Sequence, residues 1–138
     1  MTITGGLRAW LNTWEGLAGD RINVDCLPKN QSGYSLDSDP TITETRFLYG
    51  PRAVERVFIL SSLEAWGEDI LQNEEVLEWY ESLSAWVRRK NRRREFPDIG
   101  DTRRVRGISV VSAPYPFSVP EDGNARYQVQ IKLNYYEE

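Results

Sequence analysis

The chain contains no histidine and only one cysteine, Cys26. That removes the commonest general base and the commonest transition-metal ligand at once. A single thiol cannot close an internal disulfide, and it cannot complete a zinc or iron–sulfur ligand set. Used as a nucleophile, Cys26 would need a base beside it, and the imidazole that usually serves is missing. Its surroundings, Ile22-Asn23-Val24-Asp25-Cys26-Leu27, read as a short strand with the thiol packed as a small hydrophobe. Carboxylates are plentiful, with 21 Asp and Glu, but they carry no signature. Asp37 and Asp39 lie in a loop-like stretch without the alternate ligands and closing glutamate of a calcium loop. Gly5-Gly6 lacks the spacing and the preceding strand of a phosphate-binding loop. The chain is therefore read as non-enzymatic, with no catalytic residue, metal, cofactor or small-molecule substrate.

Charge is the one strong chemical feature. Between Arg88 and Arg106 lie nine basic residues: Arg88, Arg89, Lys90, Arg92, Arg93, Arg94, Arg103, Arg104 and Arg106. Only Glu95, Asp98 and Asp101 oppose them, so the stretch carries +6. The whole chain carries −4, which leaves −10 for the rest. Three readings are open. The stretch is a solvated helix end and loop, or it meets an acidic face of another copy, or it binds nucleic acid. The acidic balance of the chain, pI ≈ 5.0, weighs against the third. So does the lack of aromatics interleaved with the arginines as a base-stacking surface would require.

These residues need a scaffold. At 138 residues, 40% hydrophobic and 28% charged, the sequence predicts a single domain over 1–138 with a core of its own. Ile3, Leu7, Trp10, Leu11 and Trp14 repeat at helical offsets and predict a short amphipathic helix over Leu7–Trp14, its tryptophan face in the core. Residues 28–40, rich in Pro, Ser, Asp and Gly, predict a loop around a short extended Tyr34-Ser35-Leu36. Thr41–Tyr49 and Val54–Ser61 predict two strands joined across Gly50-Pro51, the run Val57-Phe58-Ile59-Leu60 marking the second as central. Asn73 is a candidate N-cap of a long helix with Val76, Leu77, Trp79, Tyr80, Leu83, Trp86 and Val87 on its apolar stripe, stopped by Pro97. Arg103–Ser112 predicts a strand, and Pro114–Gly123 a Pro-rich connection. Ala125–Tyr136 alternates strictly and predicts a strand with one buried face. The expected class is α+β: a mixed, largely antiparallel sheet of about four to five strands, flanked by an N-terminal helix and one long central helix.

No signal peptide is expected from the start of the sequence, and no apolar run approaches the length of a membrane span.

Order and spacing carry a resemblance. Tyr34-Ser35-Leu36 leads to Pro40, then come the hairpin across Gly50, the helix with Tyr80-Glu81 and Trp86, and Phe96-Pro97. The closing segments are Ala125-Arg126-Tyr127-Gln128-Val129-Gln130-Ile131 and Leu133-Asn134-Tyr135-Tyr136. Over nearly its whole length the chain resembles the small tail terminator, or minor capsid, proteins of long-tailed bacteriophages and prophages of Gram-positive hosts. It departs from them at Tyr49-Gly50-Pro51-Arg52, where the family is associated with an acidic, glycine-rich turn. The resemblance implies a virion protein that stops tail-tube growth as a ring, typically of six copies, and offers the head-joining surface. It implies the tail tube protein and a head-completion or connector protein as partners, with assembly in the bacterial cytoplasm. No small molecule, membrane or specific nucleic acid is implied. A neck connector is the alternative within the same setting, and a nucleic-acid-binding regulator the alternative outside it. On either virion reading, Arg88, Arg89, Arg92, Arg93, Arg94, Arg103, Arg104 and Arg106 are candidates for a subunit boundary or ring lumen. Tyr49, Gly50, Pro51 and Arg52 are candidates for a contact at the hairpin tip.

Overall fold

The computed structural model of the chain describes residues 2–17, 22–24, 33–46, 48–65, 70–112, 115–118 and 124–138. The elements are α1 (Ile3–Leu11), β1 (Ile22–Val24), β2 (Gly33–Arg46), β3 (Arg52–Ala65), α2 (Ile70–Arg93), β4 (Arg103–Val110), β5 (Tyr115–Ser118) and β6 (Asn124–Glu137). Their strands make one mixed sheet. β2, β3, β6 and β4 lie side by side and antiparallel; β1 adds parallel to β2, and β5 pairs with β6 beyond the end of β4. The class is α+β, as expected, with six strands among the described residues.

The alternation in β6 sets the layers. Tyr127, Val129, Ile131, Leu133 and Tyr135 are buried, while Gln128, Gln130, Lys132, Asn134 and Tyr136 between them are half-buried. In β3 the register puts Val54, Phe58 and Leu60 opposite Tyr135, Ile131 and Val129, so the two strands share one apolar face. β3 is central, as its continuous apolar run predicts, with Val57 and Ile59 half-buried on the other face.

Both helices cover the apolar face, and α2 crosses it obliquely. Near its start, Trp79 stacks on Tyr34 of β2 with ring centroids 5.1 Å apart. One residue on, the Tyr80 hydroxyl lies 2.7 Å from Ser62 Oγ of β3 and donates to the Tyr127 carbonyl of β6 at 3.0 Å. Near its end, Asn91 Oδ1 accepts the Ile108 backbone N–H of β4 at 3.0 Å. Tyr80, Leu83, Trp86 and Val87 form the buried stripe. Trp86 packs on Trp10 of α1 at 4.6 Å, and Trp14 bridges Trp79 and Trp86 at 5.2 and 6.2 Å. The N-terminal tryptophans are thus core residues. Gly6 allows this closeness, because a Cβ there would sit 2.1 Å from the Asp98 carbonyl oxygen.

Several boundaries differ from expectation, each for a local reason. α1 starts at Ile3 because Thr2 caps it, its side chain accepting the Gly5 N–H at 2.9 Å; past Leu11 the chain continues in turns that still seat Trp14 and Leu17. Residues 37–40 belong to β2 and are not a loop. A register shift between Ser38 and Ile42 absorbs Pro40, and Asp39 Oδ1 accepts the Thr41 N–H at 2.8 Å. β2 ends at Arg46, and β3 runs to Ala65 rather than Ser61. α2 starts at Ile70, so Asn73 is inside it and is not its N-cap, and its first turn holds no acid. Leu77 leaves the stripe, 39% exposed. Pro97 does not stop α2. The stop is Arg94, whose φ of 57° lets Arg94 N–H and Glu95 N–H bond back to Asn91 and Lys90 carbonyls. The Pro-rich connection contains strand β5, with Pro116 on the edge of the sheet. Cys26 and residues 28–32 lie outside the described residues, as do Pro114 and 119–123.

Candidate functional site

The acids singled out by sequence make local contacts within β2. Asp39 holds the bulge in β2, and Asp37 accepts from Ser35 Oγ at 3.3 Å. Among the described residues no three Cys, Asp or Glu side chains gather in a way that could hold a metal ion. The clefts are open and polar. One of about 360 Å³ lies at the end of the sheet between Pro51, Arg103, Arg104 and Tyr136.

The basic stretch divides in two. Two of its cations are used internally. Lys90 pairs with Glu95 at 2.8 Å across the turn that ends α2, and this holds the Glu95 carboxyl below its ordinary range. Arg103 Nε reaches Glu137 Oε2 at 2.7 Å, and Arg103 also donates to the Ile99 carbonyl at 3.0 Å. Glu137 is shared with Arg52 of β3, which reaches Glu44 of β2 at 3.2 Å. Glu44 is also 4.0 Å from Arg46. Because Arg103, Glu137, Arg52 and Arg46 are successive register partners, the ions form a ladder across four strands. Hydrogen bonding from Arg103 is the main cause that holds the Glu137 carboxyl low; its partial burial works the other way.

Arg56 of β3, outside the basic stretch, is also used internally. Its guanidinium lies 5.2 Å from the Phe58 ring centroid and acts on the Tyr135 hydroxyl. Burial pushes that hydroxyl up, with Arg56 opposing.

The other arginines are free of acids. Arg88, Arg89, Arg92, Arg93 and Arg94 are exposed at the end of α2, and Arg104 and Arg106 on β4. Among the described residues none of the seven has a carboxylate within ion-pair distance. α2 ends beside β4, so the two groups lie on neighbouring elements. An aromatic that residue spacing does not reveal lies beneath two of them: Arg104 and Arg106 are 5.5 and 5.1 Å from the Tyr136 ring centroid. Tyr136 is 32 residues from Arg104 in sequence and meets it as its register partner on β6. Only the strand pairing reveals that contact.

The hairpin tip divides too. Arg52 belongs to the ion ladder, whereas Tyr49 is 87% and its neighbour Leu48 89% exposed. Gly50, with φ of 97°, makes the turn in a conformation that suits glycine. Thr41–Arg46 behind the tip are exposed as well, on an edge of β2 that no described strand covers. The other edge is better closed. Asn91 occupies the Ile108 amide, and a bulge between Val105 and Gly107 interrupts the strand.

No protein-family model matches the chain, and no curated protein is a detectable relative.

Proposed function

We propose that the chain is a structural virion subunit, a tail terminator that assembles as a ring on the phage tail tube and provides the head-joining surface. The observation that carries this reading is the placement of its unsatisfied groups. Seven exposed arginines with no ion pair among the described residues gather on the end of α2 and the neighbouring β4, and two large apolar side chains project from a hairpin tip at 87–89% exposure. Exposed charge and exposed apolar side chains of this kind suit protein partners. The resemblance in segment order and the α+β architecture support the same reading. On it the chain has no catalytic step, and its partners are further copies, the tail tube protein and a connector. Deleting the gene from the phage or prophage that carries it should give overlong tails unjoined to heads. Tails of normal length joined to heads would sink the proposal.

The arginine pair over Tyr136 favours a second reading, a nucleic-acid-binding regulator, since stacked cation and ring can engage a base and phosphate together. A gel shift separates the two. The terminator reading expects no specific complex at physiological salt; a specific complex that weakens steeply with salt supports the regulator.

A further inference from the structure

The oblique path of α2 gives the molecule a lateral polarity. Its acidic first half lies over β2 and β3, where Glu78 and Glu81 are exposed. Glu15, also exposed, belongs to the turn whose Gly16 carbonyl accepts the Trp79 indole N–H at 3.2 Å. None of these three glutamates has a cation within ion-pair distance among the described residues. The basic second half ends beside β4. Glu78 and Arg92 are fourteen residues apart, or about 21 Å along the helix. Like charges crowded on one edge repel each other and are relieved by an opposite surface.

We propose that the acidic patch of one copy, Glu15 with Glu78 and Glu81, docks against the arginine edge of a second copy. The partner is thus this same chain. The acidic patch lies where α2 crosses β2 and β3, and the arginines lie at the far end of α2 and on β4, with Arg104 and Arg106 on the face of the sheet away from α2. A contact between two α2 helices alone would leave those two unused. The docking is therefore head-to-tail, and each copy keeps one patch of each sign for the next. This rests on the reading of the chain as a ring subunit and names the surfaces that join its copies.

Such a contact is made of exposed ion pairs and is individually weak, so the test traps it covalently. Arg92→Lys preserves the charge and supplies an amine. A carbodiimide then joins that amine directly to a carboxylate in contact with it. With a mixture of isotopically light and heavy chains at low salt, the expected result is mixed-isotope links from residue 92 to Glu78, Glu81 or Glu15. Gels should show a ladder through dimer, trimer and beyond. Glu78→Gln combined with Glu81→Gln should reduce the ladder several-fold, and 1 M salt should abolish it. A product that stops at dimer contradicts the head-to-tail arrangement. Links absent, or unaffected by the glutamine changes, overturn the contact itself. Normal tail termination by a chain that fails this test would sink the surfaces proposed here and leave the terminator reading standing.

Discussion

Arg94 occupies a backbone region that disfavours any side chain with a Cβ, and it does so where glycine is the usual residue. The turn it makes is complete in its hydrogen bonds: Glu95 N–H to the Lys90 carbonyl at 3.0 Å and Arg94 N–H to the Asn91 carbonyl at 3.2 Å. The apolar contact that commonly spans this motif is replaced by the Lys90–Glu95 ion pair. A charged residue is thus kept at a strained position. Arg94→Gly should stabilise the domain by about 0.5–1 kcal/mol in a urea melt, since it removes the Cβ penalty and loses no ion pair among the described residues. Arg94→Ala should give no such gain. Equal stability of the glycine variant and the parent would show that the αL turn carries no strain. Neither the strain nor the stop was legible in sequence: Pro97 was the visible breaker, and the chain turns three residues before it.

At the scale of elements, legibility followed how much of the pattern was local. β6 announces itself because every second side chain, from Tyr127 to Tyr135, is buried by the same face. The buried stripe Tyr80, Leu83, Val87 of α2 was legible for the same reason. Residues 37–40 of β2 predict a loop, because Asp, Ser and Pro are turn residues when only near neighbours count. Pairing with β3 overrides that preference, and the bulge with its Asp39 hydrogen bond accommodates the proline. β5 was missed likewise, its Pro116 being tolerable at an edge. The ion ladder and the Tyr136 contact depend on register between strands far apart in sequence, which composition does not encode.

The ladder makes an acid-side prediction. A carboxyl whose pKa is lowered by folding contributes stability above its unfolded value, about 4.3 for glutamate, and loses it as pH falls through the lower folded value. Glu137 is such a group, with Arg103 as the leading cause. Glu137→Gln should therefore cost about 1 kcal/mol near pH 7, modest because the pair is partly solvated. The gap to the parent should shrink as pH falls below about 4. A gap of constant size from pH 7 to 3 in denaturant melts would contradict the ladder as a source of stability.

For the molecule as a whole, what the sequence conveyed about the candidate site was charge segregation, and what it withheld was direction. The +6 stretch is visible in the residue order. Its division into two internally paired cations and seven arginines without an ion pair among the described residues is not, nor is the way α2 carries acid over β2 and base to β4. A domain polarised in this way, with one sheet edge capped by Asn91 and the opposite hairpin left exposed, presents its surfaces to large partners. That is the physical basis for the terminator proposal, and position in the virion tests it most directly. Gold-labelled antibody against the chain, viewed on intact and detached tails by electron microscopy, should mark a single site at the head-proximal end of every tail. Label distributed along the tube, confined to the distal tip, or absent from virions would contradict it.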